Sequence, residues 1–265
     1  MGFVDLLGFR NQVLSMSAKE ARRTIETLEF LFSGVVEAHK PMDGDPMGIE
    51  VRFFSDCFCL ALPLDNPDLQ NYLDRFFWFF IHVVHIQGEF IFNGHILRGG
   101  ISVGPHYSSE HLIFSPAQIR AYETESKVAT YPMVMLDDSV FDAMDPGNKR
   151  FDGQLHPREA AALKHDLESV FGLIAEDESG KSFINYLRFW TELDDPTRAD
   201  LYFAAHKKVI EDGAKRFLKS PHVLEKYRWM ARYHNAYLKK HLTSPGEMLI
   251  GDSLFGAHSL PEERD

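Results

Sequence analysis

Cysteine is nearly absent: the chain has two, Cys57 and Cys59, one residue apart. They are too close to staple a fold, which excludes a disulfide framework, and two thiols alone are too few for a structural zinc site. Long apolar runs are also missing. The longest, Phe76 to Ile86, contains two histidines and is about half the ~20 residues that a membrane span requires. No export signal is read, because Met1 leads directly into a strand-like run; with reduced thiols, the expected compartment is cytoplasmic. Positive charge is scarce. Lys and Arg total 28 against 39 Asp and Glu, a net charge of −11. That argues against a nucleic-acid-binding surface, which needs a basic patch, but not against a nucleotide held through a metal ion. No internal repeat or low-complexity segment occurs.

What remains is ordinary for a globular chain of 265 residues, with 45% apolar and 25% charged residues and enough length for a sizeable core. Two short stretches stand out. Phe3-Val4-Asp5-Leu6-Leu7-Gly8-Phe9 is an apolar run with one carboxylate; Val51 to Leu60 is another, with Asp56 in its middle. An unpaired carboxylate inside a strand is costly to bury. Two of them in neighbouring strands can share a divalent cation, and Mg²⁺ is commonly held by one or two carboxylates plus substrate phosphates. The alternative is that both acids sit at strand ends and point into water.

In chain order, strand 1 covers 3–9. Ser17 with Glu20 three positions on marks a capping box for a helix through His39. The segment 41–46 reads as a loop. Residues 49–64 read as a hairpin turning at Ser55-Asp56, which places Asp56 at the tip. A very aromatic helix follows from Pro67 to Gln87, apolar all round and expected to bury against a sheet, a partner subunit or both. Strands are expected over 96–104, 107–114 and 131–136, with a helix between the last two from Pro116 to Thr130. After 138 the pattern is helical except for a hairpin at 173–186, and two long helices at 196–218 and 223–241 precede a tail expected to be loosely held. The fold class is therefore α+β: a ferredoxin-like βαββαβ core with additional strands, residues 1–190, and a helical C-terminal extension, residues 191–265, expected to pack on it.

These residues resemble the class III nucleotidyl cyclase catalytic domain. Asp5 in the first strand and Asp56 on the hairpin match that family's two metal-binding aspartates; Arg98-Gly99-Gly100-Ile101-Ser102-Val103-Gly104 resembles its central strand, and Ala121 to Glu125 its Ala-x-x-(Met/Leu)-Glu helix. More narrowly, the chain is similar to the bacterial pyrimidine cyclases of Pycsar antiphage systems, through Arg98 to Ile101, Ala121-Tyr122-x-x-Glu125 leading to Ala129-Thr130-Tyr131-Pro132, and Lys226-Tyr227-Arg228-Trp229 ahead of Tyr233-His234-Asn235.

The resemblance implies a homodimer that converts UTP or CTP to the 3′,5′-cyclic nucleotide and pyrophosphate. Two Mg²⁺ or Mn²⁺ ions would be held by Asp5, Asp56 and the Leu6 carbonyl, and backbone N–H groups of Leu7, Gly8 and Phe9 would cradle phosphates. A separate effector would respond to the product. Arg52 stands where adenylate cyclases carry a base-reading lysine, and its fork of donors suits a pyrimidine; the alternative is an arginine on an exposed strand face. The family's aspartate partner maps to Leu112. Its transition-state asparagine and arginine map to Ile119 and Glu123, which cannot do that work. Arg120 is the neighbour that could fill in, although a helix turns about 100° per residue and points it elsewhere; the family's triphosphate lysine maps to Glu178, with Lys181 the nearby cation. These losses keep open a catalytically silent nucleotide-binding regulator.

Other features have plainer readings. His82 and His85 lack a third ligand, the stripe at 76–80 is packing, and Glu211-Asp212 is solvated charge. Tyr233-His234-Asn235 is expected to brace a neighbouring helix rather than reach a partner's active site.

Overall fold

Alternation in the first strand sets the architecture. In β1 (Gly2–Leu6), Gly2, Val4 and Leu6 are buried while Phe3 and Asp5 are half-buried, so the two sets occupy opposite faces. A computed structural model describes residues 1–38, 48–64, 69–145, 160–192 and 196–256. The loop expected at 41–46, the start of the aromatic helix before Leu69 and the chain after 256 lie outside the described residues. The chain divides into two compact units, Met1–Arg188 and Phe189–Asp265.

The first unit is α+β. Gly8 takes a left-handed φ of 79° and turns the chain into α1 (Phe9–Ser15), so strand 1 stops three residues before its expected end. In α2 (Ala18–Ala38) the capping box forms, with the Ser17 N–H donating to Glu20 at 2.8 Å. Next come β2 (Glu50–Phe54) and β3 (Cys57–Ala61), then α3 (Leu69–Phe92) and β4 (Leu97–Ile101). A small hairpin of β5 (Tyr107–Ser108) and β6 (Ile113–Phe114) leads to α4 (Pro116–Glu123), capped by the Ser115 hydroxyl and continued by a π-turn at Thr124–Val128. After β7 (Val134–Leu136) come α5 (Asp138–Met144), α6 (Ala160–Phe171), β8 (Ile174–Glu176) and β9 (Ser182–Ile184).

The sheet order is β2-β3-β1-β4-β7-β9-β8, antiparallel throughout except for β4 beside β7. Register sorts the side chains. One face carries Val4, Leu6, Phe58 and Leu60, covered by α2 and α3 through Phe32 and Phe90, whose rings lie 6.0 to 6.3 Å from Phe58 or from each other. Burial of each such ring is worth about 1.5–3 kcal/mol. Most of α3's apolar side chains are spent here: Phe76, Phe79, Phe80, Val83 and Val84 are buried, and among the described residues Trp78 is the large one left exposed. The all-round apolar character that suggested a subunit interface is thus mostly the unit's own core.

The other face carries Arg52, Cys59, Phe3 and Gly100 in one row and Phe54, Cys57, Asp5 and Arg98 in the next. Here α4 lies on the sheet, with Tyr122 edge-on to Phe3 at 5.3 Å. Gly100 permits the approach. A Cβ there would stand 2.3 Å from the Ala121 carbonyl and 2.7 Å from Thr124 Cβ. Gly100→Ala is expected to cost about 1–3 kcal/mol by overpacking and to lower the melting temperature by roughly 2–12 °C in a thermal scan. An unchanged melt would mean that α4 does not pack on β4.

In the second unit, α7 (Pro196–Arg216) and α8 (Pro221–His241) are joined by a four-residue connection and approach closely at Gly213, where a Cβ would meet the Tyr227 ring at 2.0 Å. Of the tail that the composition suggested was loose, the described part, through Gly256, is pinned. Lys207 Nζ donates to the Glu247 and Leu249 carbonyls at 2.6 and 3.0 Å, and the Asn235 amide and Ile250 backbone exchange two hydrogen bonds of 2.8 and 2.9 Å. Ile250 and Phe255 are buried. Among the described residues, no helix is long and apolar enough to cross a membrane.

Candidate metal and nucleotide site

The β2–β3 hairpin turns at Ser55-Asp56, with Ser55 at φ 58°, the one positive φ outside glycine among the described residues. The tip lies beside the end of β1: Asp5 is opposite Cys57, and the Leu6 N–H donates to the Asp56 carbonyl at 3.1 Å. The two aspartates singled out from sequence therefore meet, and their side chains are hydrogen-bonded. Within a strand, a residue's N–H and C=O point the same way, so the Leu6 carbonyl also lies on the Asp56 side.

The electrostatics show what two carboxylates cost without a cation. Burial pushes Asp5 up to about 7; the negative charges of Asp56 and Glu125 add to this, Arg98 opposes it, and the hydrogen bond to Asp56 favours the proton-bearing form. The same surroundings hold the Cys57 thiol up at about 11, through burial first and then Asp5, Asp56 and Glu125, so it is not a nucleophile.

Two members of this cluster had no assigned role from sequence. Arg98 is paired across the sheet with Asp5, and Glu125, 3% exposed on the π-turn, forms an ion pair with it. Arg98 also donates to the Ala129 carbonyl at 3.3 Å. For Arg98 the signal was available, because it is a lone charge in an otherwise apolar strand, the same reasoning that picked out Asp5; Glu125, in a polar turn, gave no such signal. The cluster carries three acids to one base, a negative site that suits a divalent cation. Among the described residues, no group of three or more His, Cys, Asp or Glu has metal-binding geometry. The oxygen donors at this corner are two carboxylates and the Leu6 carbonyl.

The remaining candidates need correction. The Leu7 N–H is already committed, donating to the Ile96 carbonyl at 2.9 Å, so it cannot cradle a phosphate. Gly8 and Phe9 stand at the start of a seven-residue helix, too short to make an anion site on its own. Arg52 is not a free fork. Its Nε donates to Glu50 at 2.6 Å and its Nη2 to the Ser109 carbonyl at 3.0 Å, near Leu112 on the β5–β6 hairpin. Arg120 donates to the Val103 carbonyl at 2.5 Å, turned away from Asp5. Ile119 is exposed, and Glu123 is ion-paired to Lys127 at 2.6 Å. Lys181, in the β8–β9 turn, lies beyond the Gly2 end of the sheet, three strands over from β1. Strand spacing and rise put it roughly 20 Å from Asp5. The aspartates thus occupy one end of this face, while Arg52, Arg120 and Lys181 lie toward the other.

No protein-family model matches the chain, and no curated protein or solved structure matches it.

Proposed function

We propose that this protein is a nucleotidyl cyclase that converts UTP or CTP to the 3′,5′-cyclic monophosphate and pyrophosphate, acting as a homodimer. The observation that carries the reading is the meeting of Asp5 and Asp56 at the ends of adjacent strands. Support comes also from the order β4-β1-β3-β2 within the β1-α-β2-β3-α-β4 segment, which is that of a ferredoxin-like core.

In the reaction, the ribose 3′-oxygen bonds to the α-phosphorus, the α–β phosphoanhydride breaks, and the hydroxyl proton passes to solvent. Asp5, Asp56 and the Leu6 carbonyl would hold Mg²⁺ or Mn²⁺. A bound divalent ion supplies Lewis acidity for the 3′-hydroxyl and charge neutralisation for the triphosphate. Arg98, fixed by Glu125, keeps a cation beside Asp5 and limits repulsion between the acids.

The homodimer is supported by the division of the open face. A two-fold partner laid antiparallel on it would bring Arg52, Arg120 and Lys181 of one copy to the aspartates of the other. Exposed apolar side chains on that side (Tyr107, Leu112, Phe114, Ile119 and Tyr122) suit such a contact. By resemblance, the product would act as an antiphage signal to a separate effector.

The test is incubation of purified protein with the four ribonucleoside triphosphates and Mn²⁺, with products identified by mass spectrometry. A cyclic pyrimidine nucleotide is expected. A dimer that binds nucleotide with Mn²⁺ yet forms no cyclic product would favour the silent regulator, which the exposed Ile119 and ion-paired Glu123 support.

A further inference from the structure

A second cluster, at the opposite end of the sheet from Asp5, is built around a residue with no role so far. Glu50 opens β2 and lines a cleft of about 660 Å³. The cleft's walls include Leu62, Leu64 and Val103, and its polar side chains include Glu50, His106 and Tyr72. A cleft of this size, with apolar walls and convergent polar groups, has the form of a small-molecule site.

The two oxygens of Glu50 differ. Oε1 accepts from Ser108 Oγ at 2.5 Å and from Arg52 Nε at 2.6 Å. Oε2 has His106 Nε2 at 3.6 Å, beyond a good hydrogen bond. Burial alone would raise the Glu50 pKa, but the bonds from Ser108 and Arg52, the Arg52 charge and His106 outweigh it and hold the carboxyl below its ordinary value. Glu50 therefore stays an acceptor with lone pairs to spare on one oxygen.

We propose that this cleft takes the nucleobase and that Glu50 selects cytosine over uracil; the inference rests on the pyrimidine cyclase reading above. The 4-amino group of cytosine donates, and a carboxylate accepts it. Uracil presents a 4-oxo group at that position, which sets acceptor against acceptor and leaves Glu50 without its partner. A site that pairs with a donor rejects the analogue lacking it more strongly than a shape difference does. The position fits as well. In the antiparallel pairing proposed above, this end of one copy faces the Asp5 and Asp56 end of the other.

The experiment compares kcat/KM for CTP and UTP in the intact protein with Mn²⁺, then in Glu50→Gln and Glu50→Asp. The wild type is expected to favour CTP by at least about tenfold. Glu50→Gln offers an amide N–H to the 4-oxo group and should cut that ratio at least tenfold; Glu50→Asp keeps the charge, withdraws it by one methylene and should weaken CTP selectively. A wild type that favours UTP, or a ratio unchanged in both variants, overturns the proposal. If neither nucleotide is cyclised, the cyclase reading fails separately. Base selectivity is then read by equilibrium dialysis of CTP and UTP with Mn²⁺: tenfold tighter CTP supports the role of Glu50, and equal binding overturns it.

Discussion

Asp5→Asn should abolish cyclisation while making the metal-free protein harder to melt. The loss follows from removing one of two charged ligands. A Lewis-acid contribution of about 4 kcal/mol corresponds to roughly 10³-fold in rate. The gain in stability follows from the position of Asp5, which at neutral pH shares a half-buried corner with Asp56 and Glu125. Its folded pKa of about 7 lies above the ordinary 3.8. The folded state therefore binds that proton more tightly than the unfolded chain, and metal-free stability falls as pH rises from about 4 to 7. In a dry site the full displacement would be worth about 4 kcal/mol; solvent screening at a half-exposed group reduces this to about 1 kcal/mol. The variant should melt about 2–4 °C higher than wild type in chelator at pH 8. With saturating Mn²⁺ and nucleotide the order should reverse, since ligand at 100 times Kd stabilises the competent protein by about 2.7 kcal/mol. A variant no more stable than wild type in chelator would show that the acids do not repel one another.

Mild acid should loosen the second unit. His206 and His234 are both fully buried, with their Nδ1 atoms 2.9 Å apart. The Nε2 of His234 faces the Met248 carbonyl at 3.0 Å and must donate to it. Neutral His234 then has a bare Nδ1, which accepts from the Nδ1–H of His206. His234 cannot take a second proton, at Nδ1, without losing this bond, and a proton on His206 would put a charge in a fully buried site. Burial holds His234 down at about 4, with nearby Lys207 adding to the effect and the Met248 bond opposing it; burial and the neighbouring His234 hold His206 well below its ordinary value. Charges on the packed elements include Glu211, ion-paired to Lys207 at 3.7 Å, and Glu247 and Asp252 on the two short turns of the tail.

For a histidine whose folded pKa is depressed, the stability is present above the unfolded value of 6.5 and is lost as pH falls toward the folded one. Between pH 7 and 5 that amounts to about 2 kcal/mol for His234, with a further loss from His206. Urea titrations followed by fluorescence of buried Trp229 should show it. A midpoint constant from pH 7 to 5 would contradict neutral buried rings.

Much of the first unit was legible because its signals are local. The Ser17/Glu20 cap and the turn at Ser55-Asp56 depend on neighbours in sequence, as do the two long helices of the second unit, and all three are present. The brace of a neighbouring helix expected of Tyr233-His234-Asn235 is present through His234, which meets His206 of α7. What sequence missed was decided by partners far along the chain. Arg52 looked available because Ser109 is 57 residues away, although Glu50, two residues before it on the same face of a strand, was in plain view. The break of the helix at Thr124 into a π-turn depends on packing against Gly100, and the firm hold on residues 246–255 depends on Lys207 and Asn235. Neither leaves a periodic trace.

The alternation in β1 also limits how this chain can change in length over evolution. A deletion or insertion of one residue between Gly2 and Leu6 would exchange the two faces of the strand. It would drive the Asp5 carboxylate in among Phe58 and Phe90 and set Val4 and Leu6 on the open side. Point substitutions can explore this strand one face at a time, but indels cannot, so length variation among descendants of this chain belongs in the connections between elements.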